Sequence, residues 1–285
     1  IKINKFLVIG GDLRNVELIK LLKEDEKIVY SYGINIKNSE NLEDFLDDIE
    51  VVIGSIPFSR DGLTVNSKFI KNKILIKDLL EKMKGKILIA GNISEDVKKL
   101  SQIYNIEVID VMKSEKLAIL NTIATAEGTI ELMISNTNTI IFECNVLILG
   151  FGRVAKTLAQ RLKDLVKSIT CASIENDELS WIEVLGYEKI NLNDLDKSQE
   201  LLTSLANYNV IINTIPSQIF DEKKLQYIKK DTLLIDLASN PGGIDKEEVK
   251  KRKLKLIHAL GLPGKVAPVS SAKFIKEVIY NYLKN

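Results

Sequence analysis

The chain has 285 residues, 40 basic and 39 acidic, for a formal charge of +1. That balance gives no argument for a nucleic-acid surface, and a 45% hydrophobic share supplies two ordinary domain cores. Two cysteines, Cys144 and Cys171, with no CxxC and no Cys/His cluster, argue against a zinc site and a disulfide framework, so no metal is expected.

No apolar run is read as a membrane span, and the opening IKINKFLVIGG enters a strand instead of a leader, so a cytoplasmic location is expected. Strands are predicted at 5–10, 27–31, 50–54, 86–90 and 106–109, then at 145–149, 167–172, 188–190, 209–213, 232–236 and 254–258. Their cores (FLVIG, VVIGS, ILIAG, VLILG, VIINT, LLIDL) are apolar without alternation. That is the mark of strands buried on both faces of a parallel sheet. Helical spacing fills the gaps, so the fold class is α/β and doubly wound. Eleven strands are many for one open sheet. Two Rossmann-like domains with parallel sheets are therefore predicted, bridged by long helices, with a cleft between them. The N-terminal substrate-side domain is placed at 1–122, joined by the C-terminal helix 268–285. The bridging helix is placed at 123–137 and the NAD(P)-binding domain at 138–267.

The first strand–turn–helix unit is FLVIGGDLRNVELIKLL, 6–22. Asp12 stands where a dinucleotide turn needs its second glycine. Its side chain blocks close approach and its charge repels phosphate, so a nucleotide is not expected there. The helix start still favours an anion, and Arg14, one of only five arginines, is either a substrate-carboxylate contact or a solvated surface charge. GSIPFSRDG, 54–62, brings Ser55, Ser59 and Arg60 to a similar strand end. Thr125 and Glu127 are expected at the start of the bridging helix, where Glu127 is either a site carboxylate or a dipole-favoured surface acid.

The second unit, VLILGFGRVAKTLAQRL at 146–162, carries Gly150-Phe151-Gly152-Arg153-Val154-Ala155, a G-x-G-x-x-A pattern. The first glycine permits the tight turn, the second lets a pyrophosphate approach, and the small alanine lets helix and strand pack closely. Arg153 and Val154 open the helix whose free N–H groups would meet phosphate. The next strand ends Cys171-Ala172-Ser173 without the acid that usually holds ribose hydroxyls. NADP is therefore favoured over NAD, with Ala172 and Ser173 beside the ribose and Glu175 out in the loop. Downstream, NTIPSQIF offers Thr214 and Pro216, and DLASNPGGID offers Leu237, Ala238, Ser239, Asn240, Gly242 and Gly243. HALGLPGKVAP offers Pro263. Thr214, Pro216, Leu237, Ala238 and Pro263 are expected on the cofactor. Ser239, Asn240 and the backbone of the two glycines are expected on the substrate. His258, the only histidine, lies on an apolar strand and is read as structural before it is read as a base.

VIGGDLR, TAEGTIELMI, VLILGFGRVAKTLA, INTIPS, LIDLASNPGGID and GLPGKVAP occur in that order along the whole chain. This set resembles the A-subunit family of dipicolinate synthase. The resemblance implies an enzyme of spore-forming bacteria, acting in the mother-cell cytoplasm. It would oxidise a dihydrodipicolinate-level intermediate of the lysine pathway to dipicolinate while reducing NADP. It also implies a small dicarboxylate substrate and, as partner, the B subunit of dipicolinate synthase. A homo-oligomer, no nucleic acid and no membrane complete the expectation. The proton acceptor is left between Glu127, Asp12 and water. Two other readings stay open: a different two-domain dehydrogenase of 2-hydroxy or 2-keto acids, and a non-catalytic nucleotide-binding subunit.

Overall fold

A computed structural model describes residues 3–34, 46–70 and 73–284. The chain divides into two units, residues 1–121 with 263–285, and residues 122–262.

In the first unit a five-stranded sheet holds β1 (Lys5–Ile9), β2 (Ile28–Tyr32), β3 (Val51–Ile53), β4 (Ile87–Ala90) and β5 (Glu107–Asp110). All pairs are parallel, in the order β2-β1-β3-β4-β5. Helices α1 (Leu13–Glu24), α2 (Ile76–Lys82) and α3 (Glu95–Ile103) connect them. Phe6, Leu7, Val8 and Ile9 are all buried, because helices cover both faces of the sheet. The Asp12 carboxylate caps α1 by accepting from Arg14 N at 3.0 Å, and Asn15 Oδ1 accepts from Asp12 N at 3.4 Å, closing a capping box.

The expected bridging helix is α4, Glu115–Asn136, and it begins well before 123. Ser114 Oγ accepts from Leu117 N, and EKLAILNT contains nothing that opposes helix. The unit boundary falls inside this helix, between Asn121 and Thr122. By length and composition α4 is long and apolar enough to cross a bilayer. Its Leu117, Ala126 and Met133 are nevertheless fully buried in packed clusters, as in a core helix.

The second unit has a six-stranded sheet of β6 (Asn145–Leu149), β7 (Ser168–Ser173), β8 (Glu188–Asn191), β9 (Val210–Asn213), β10 (Leu233–Asp236) and β11 (Lys255–His258). It is parallel throughout, in the order β11-β10-β9-β6-β7-β8. Counted from β6, that is the 3-2-1-4-5-6 order of dinucleotide-binding sheets, with the direction of winding reversing between β6 and β9. The helices that matter to the site are α5 (Arg153–Leu162) and α6 (Asn176–Val184).

The last helix, α7 (Pro268–Leu283), starts with proline at its first position and belongs to the first unit. Its Ala272, Ile275, Val278 and Ile279 share a buried cluster with Leu18, Ile19 and Leu22 of α1. Both Lys276 Nζ and the Tyr280 hydroxyl reach Asp25 Oδ2 at 2.7 Å. The domain break expected at 267/268 falls instead at 262/263: Leu262 belongs to the second unit's core, and the chain from Pro263 on groups with the first unit.

Candidate functional site

In an open α/β sheet, ligands meet the carboxyl ends of the strands where the winding reverses. The first unit has that point between β1 and β3, and the chain's own side chains fill it. Buried Arg14 and half-buried Asp12 form an ion pair, with Nε to Oδ1 at 3.0 Å and Nη2 to Oδ2 at 2.9 Å. Arg14 Nη2 also donates to the Ile56 carbonyl at 2.6 Å, and Asn15 Nδ2 donates to the Gly54 carbonyl at 3.3 Å. Gly264 of the GLPG turn lies so close that a Cβ there would sit 2.7 Å from Arg14 Nε and 2.8 Å from Asp12 Oδ2. The cavity left beside Arg14 and Asn15 is about 10 Å³, room for one water at most.

These contacts correct two expectations. Arg14 is buried, so it is not a solvated charge, and its charge is already matched by Asp12. Burial pushes the Asp12 carboxyl up, but the hydrogen bonds and charge of Arg14 outweigh it and hold the group below its ordinary value. A carboxylate held ionised and bonded at both oxygens is a poor proton acceptor. Pro263, expected on the cofactor, sits in the first unit beside Gly264. Ser55 is also buried and donates to the Phe58 carbonyl at 3.2 Å. Ser59 donates to the Thr64 carbonyl, and Arg60 to Asn66.

The second unit leaves its reversal point open. Gly150 turns the chain at φ +90°, and its N–H donates to the Ala172 carbonyl at 2.7 Å. A Cβ at Gly150 would meet Thr214 Oγ1 at 2.5 Å, whereas one at Gly152 would meet no atom within 4 Å. Space in front of α5 is therefore open, with Arg153 and Val154 in its first turn. A cavity of about 560 Å³ spreads from this turn, lined by Gly150, Gly152, Ser173, Thr214, Pro216 and Lys224 among others. Glycine turn, helix start and cavity together fit a dinucleotide.

Ser173 is not the unoccupied hydroxyl that the strand end suggested. It is buried, donates to Glu178 Oε2 at 2.6 Å and accepts from Glu175 N at 3.1 Å. Glu178 Oε2 also accepts from Phe151 N at 3.1 Å, joining the glycine turn to the end of β7. Sequence reading missed Glu178 because the acid comes from the first turn of α6, not from the strand.

Next to this cavity the turn after β10 is held from below by another missed residue, Asp236. It is fully buried and accepts from Asn213 Nδ2 at 2.8 Å, Ala238 N at 3.1 Å and Gly243 N at 2.9 Å. All three donors are neutral amides, so hydrogen bonds hold this carboxylate in place of a cation. Gly242 takes φ +92° and donates to the Ser239 carbonyl at 2.8 Å. The N–H groups of Gly242 and Gly243, expected to face substrate, are thus spent inside the turn. The side chains of Ser239 and Asn240 stay exposed, while Leu237 is half-buried and Ala238 buried. His258 Nε2 lies 2.9 Å from the Ala238 carbonyl and helps pin the same turn.

Thr125 and Glu127 lie in the middle of α4, so the helix-start argument for them fails. Glu127 is exposed and lies 3.5 Å from Arg161. Cys144 and Cys171 are free and buried; burial pushes the Cys171 thiol up to about 12, which removes it as a nucleophile. Among the described residues no cluster of three or more His, Cys, Asp or Glu has metal-binding geometry.

Residues 5–112 match the family described as the N-terminal domain of the dipicolinate synthase A subunit. The chain is 28% identical to the dipicolinate synthase A subunit of Bacillus subtilis, over 98% of this chain and 95% of that one. It is 26% identical to the crystal structure of the dipicolinate synthase A subunit from Bacillus halodurans, covering 99% and 98% of the two chains with a TM-score of 0.88. The NAD-dependent formate dehydrogenase of Staphylococcus aureus, crystallised in complex with NAD, shares the fold at 15% identity, with 98% and 94% coverage and a TM-score of 0.56.

Proposed function

We propose that this chain, which resembles the dipicolinate synthase A subunit from end to end, is an oxidoreductase that converts a dihydrodipicolinate-level ring acid of the lysine pathway to dipicolinate. The observation that carries this reading is the Gly150–Gly152 turn at the reversal point of the six-stranded sheet, opening on a cavity of about 560 Å³. A nicotinamide dinucleotide, when bound there, supplies the hydride acceptor. One hydride and one proton leave the ring, and the gain of aromaticity drives the step. What remains for the protein is to bind and orient.

Gly150 and Gly152 shape the turn, and the N–H groups at the start of α5 favour the pyrophosphate. Thr214 and Pro216 close the cavity on the β9 side. Ser239 and Asn240, exposed on the turn that Asp236 fixes, are the proposed contacts for a substrate carboxylate. Arg14 is proposed as a positioning residue, since Asp12 and Ile56 O already hold its Nε and Nη2. Water is the proposed proton acceptor, because Asp12 is committed to Arg14 and Glu127 is an exposed helix residue. A B-subunit partner and the cytoplasm of a sporulating mother cell follow from the resemblance, which also implies NADP.

The test is to give the purified chain an enzymatically generated intermediate with NAD or NADP. Dipicolinate absorbance rising in step with reduced nicotinamide is the expected result. Turnover of a 2-hydroxy or 2-keto acid instead would replace the substrate class. Product only after adding a second polypeptide would make this chain the nucleotide-binding part of a complex.

A further inference from the structure

We infer that Glu178 makes the cavity of the second unit select NAD over its 2′-phosphorylated form, against the NADP that the resemblance implies; the inference rests on the dinucleotide reading above. Ribose selection in such sheets is made at the end of the strand after the glycine turn, which here is Ser173 at the end of β7. A carboxylate accepts hydrogen bonds from two ribose hydroxyls and repels a phosphate in their place. A serine can do the opposite only if its proton is available.

That proton is committed. A hydroxyl has one hydrogen to give, and Ser173 gives it to Glu178 Oε2 at 2.6 Å. The Phe151 N–H fixes the same oxygen from the glycine turn. Among the described residues both of these bonds fall on Oε2. Glu178 therefore stands at the junction of the pyrophosphate turn and the ribose end of the site, held by both.

The rest of the cavity has the same sign. Its charged lining residues are Glu175, Glu178, Asp196, Asp221 and Lys224, four carboxylates against one ammonium. Lys224 is no spare cation for a phosphate, since its Nζ lies 2.8 Å from Asp196 Oδ1 and 3.3 Å from Asp221 Oδ1. No arginine lines the cavity among the described residues. A 2′-phosphate would bring a charge of about −2 into this wall and find no donor in Ser173. The ribose diol brings two donors and no charge.

The reduced nicotinamide ring fluoresces, and its emission changes when it is bound in a protein site, so the nucleotide itself reports binding. The full chain is titrated with NADH and with NADPH, reading that nicotinamide emission. NADH is expected to bind at least about tenfold more tightly than NADPH. Glu178→Gln keeps the shape and removes the charge. It is expected to weaken NADH, tighten NADPH and bring the two within about threefold of each other. NADPH binding as tightly as NADH to the unaltered chain overturns the inference, whether or not the variant folds. An unchanged ratio in a folded variant overturns the role of Glu178. Binding of neither nucleotide removes the dinucleotide reading itself, a separate result from a preference for NADPH.

Discussion

The units Phe6–Leu22 and Val146–Leu162 have the same strand, the same first glycine and the same helix start, and they part ways just past the turn. In the first, Asp12 occupies the cap position and folds back on Arg14, and Asn15 reaches Gly54. In the second the cap is Gly152, with no side chain to fold back. The first reversal point encloses about 10 Å³ and the second opens on about 560 Å³. A carboxylate at the cap satisfies the helix from within the chain. A glycine leaves the same N–H groups for a ligand. One framework thus yields a closed reversal point where Asp12, Arg14 and Asn15 fold inward and an open one where the cap is Gly152.

The strongest way to break this contrast is to write the first cap into the second turn. Gly152→Asp is expected to leave thermal stability unchanged or slightly raised, because aspartate caps a helix better than glycine by a few tenths of a kcal/mol. A Cβ at 152 meets no protein atom, so the fold tolerates it. Dinucleotide binding, followed by nicotinamide emission, is expected to fall by two orders of magnitude or more, on the order of 3 kcal/mol. A variant that binds as before would show that the glycine is not the ligand's door.

The reverse change should cost stability and gain nothing. Asp12→Ala removes the cap and leaves the buried Arg14 guanidinium with no carboxylate, a loss of about 2–4 kcal/mol, below the figure for a fully buried pair because Asp12 is half-buried and Ile56 O still holds Arg14. Asp12→Asn keeps an acceptor for Arg14 N and should lose less; the difference between the two isolates the cap. Neither should bind a nucleotide in the first unit. The pH dependence carries a sign. The folded-state value of Asp12 lies below its ordinary 3.8, so its contribution is fully present above that value. It is lost as pH falls through the folded value. Acid unfolding followed by circular dichroism should therefore be less steep below about pH 4 in Asp12→Asn than in the unaltered chain.

The same contrast explains how much was legible in the sequence. The central strands among the described residues were legible because runs such as VLILG and LLIDL have no polar alternation, and only a two-sided sheet buries them. The glycine turn was legible because its residues are adjacent. Glu178 was not, since it reaches Ser173 and Phe151 from five and twenty-seven residues away across a turn and a helix start. The Asp12–Arg14 pair was not, because residues two apart on a helix face away from each other. Asp12 escapes that rule through its extended cap backbone, φ −134° and ψ −163°. Asp236 was hidden in plain view. It ends an apolar strand, and no motif marks it, yet it is the acceptor on which the loop is built.

The smallest effect concerns Glu127, whose claim depended on a helix start that lies twelve residues earlier, at Glu115. In mid-helix it receives no help from free N–H groups, and its partner Arg161 is itself well exposed. Exposed pairs of this kind contribute about 0–1 kcal/mol. Glu127→Gln should therefore shift the melting temperature by no more than a degree or two, and should leave turnover within about twofold. A proton acceptor would behave otherwise, with turnover falling roughly a hundredfold or more and the pH profile losing its acid limb. That outcome would return the proton to a side chain and require Glu127 to meet substrate despite its exposed position on α4.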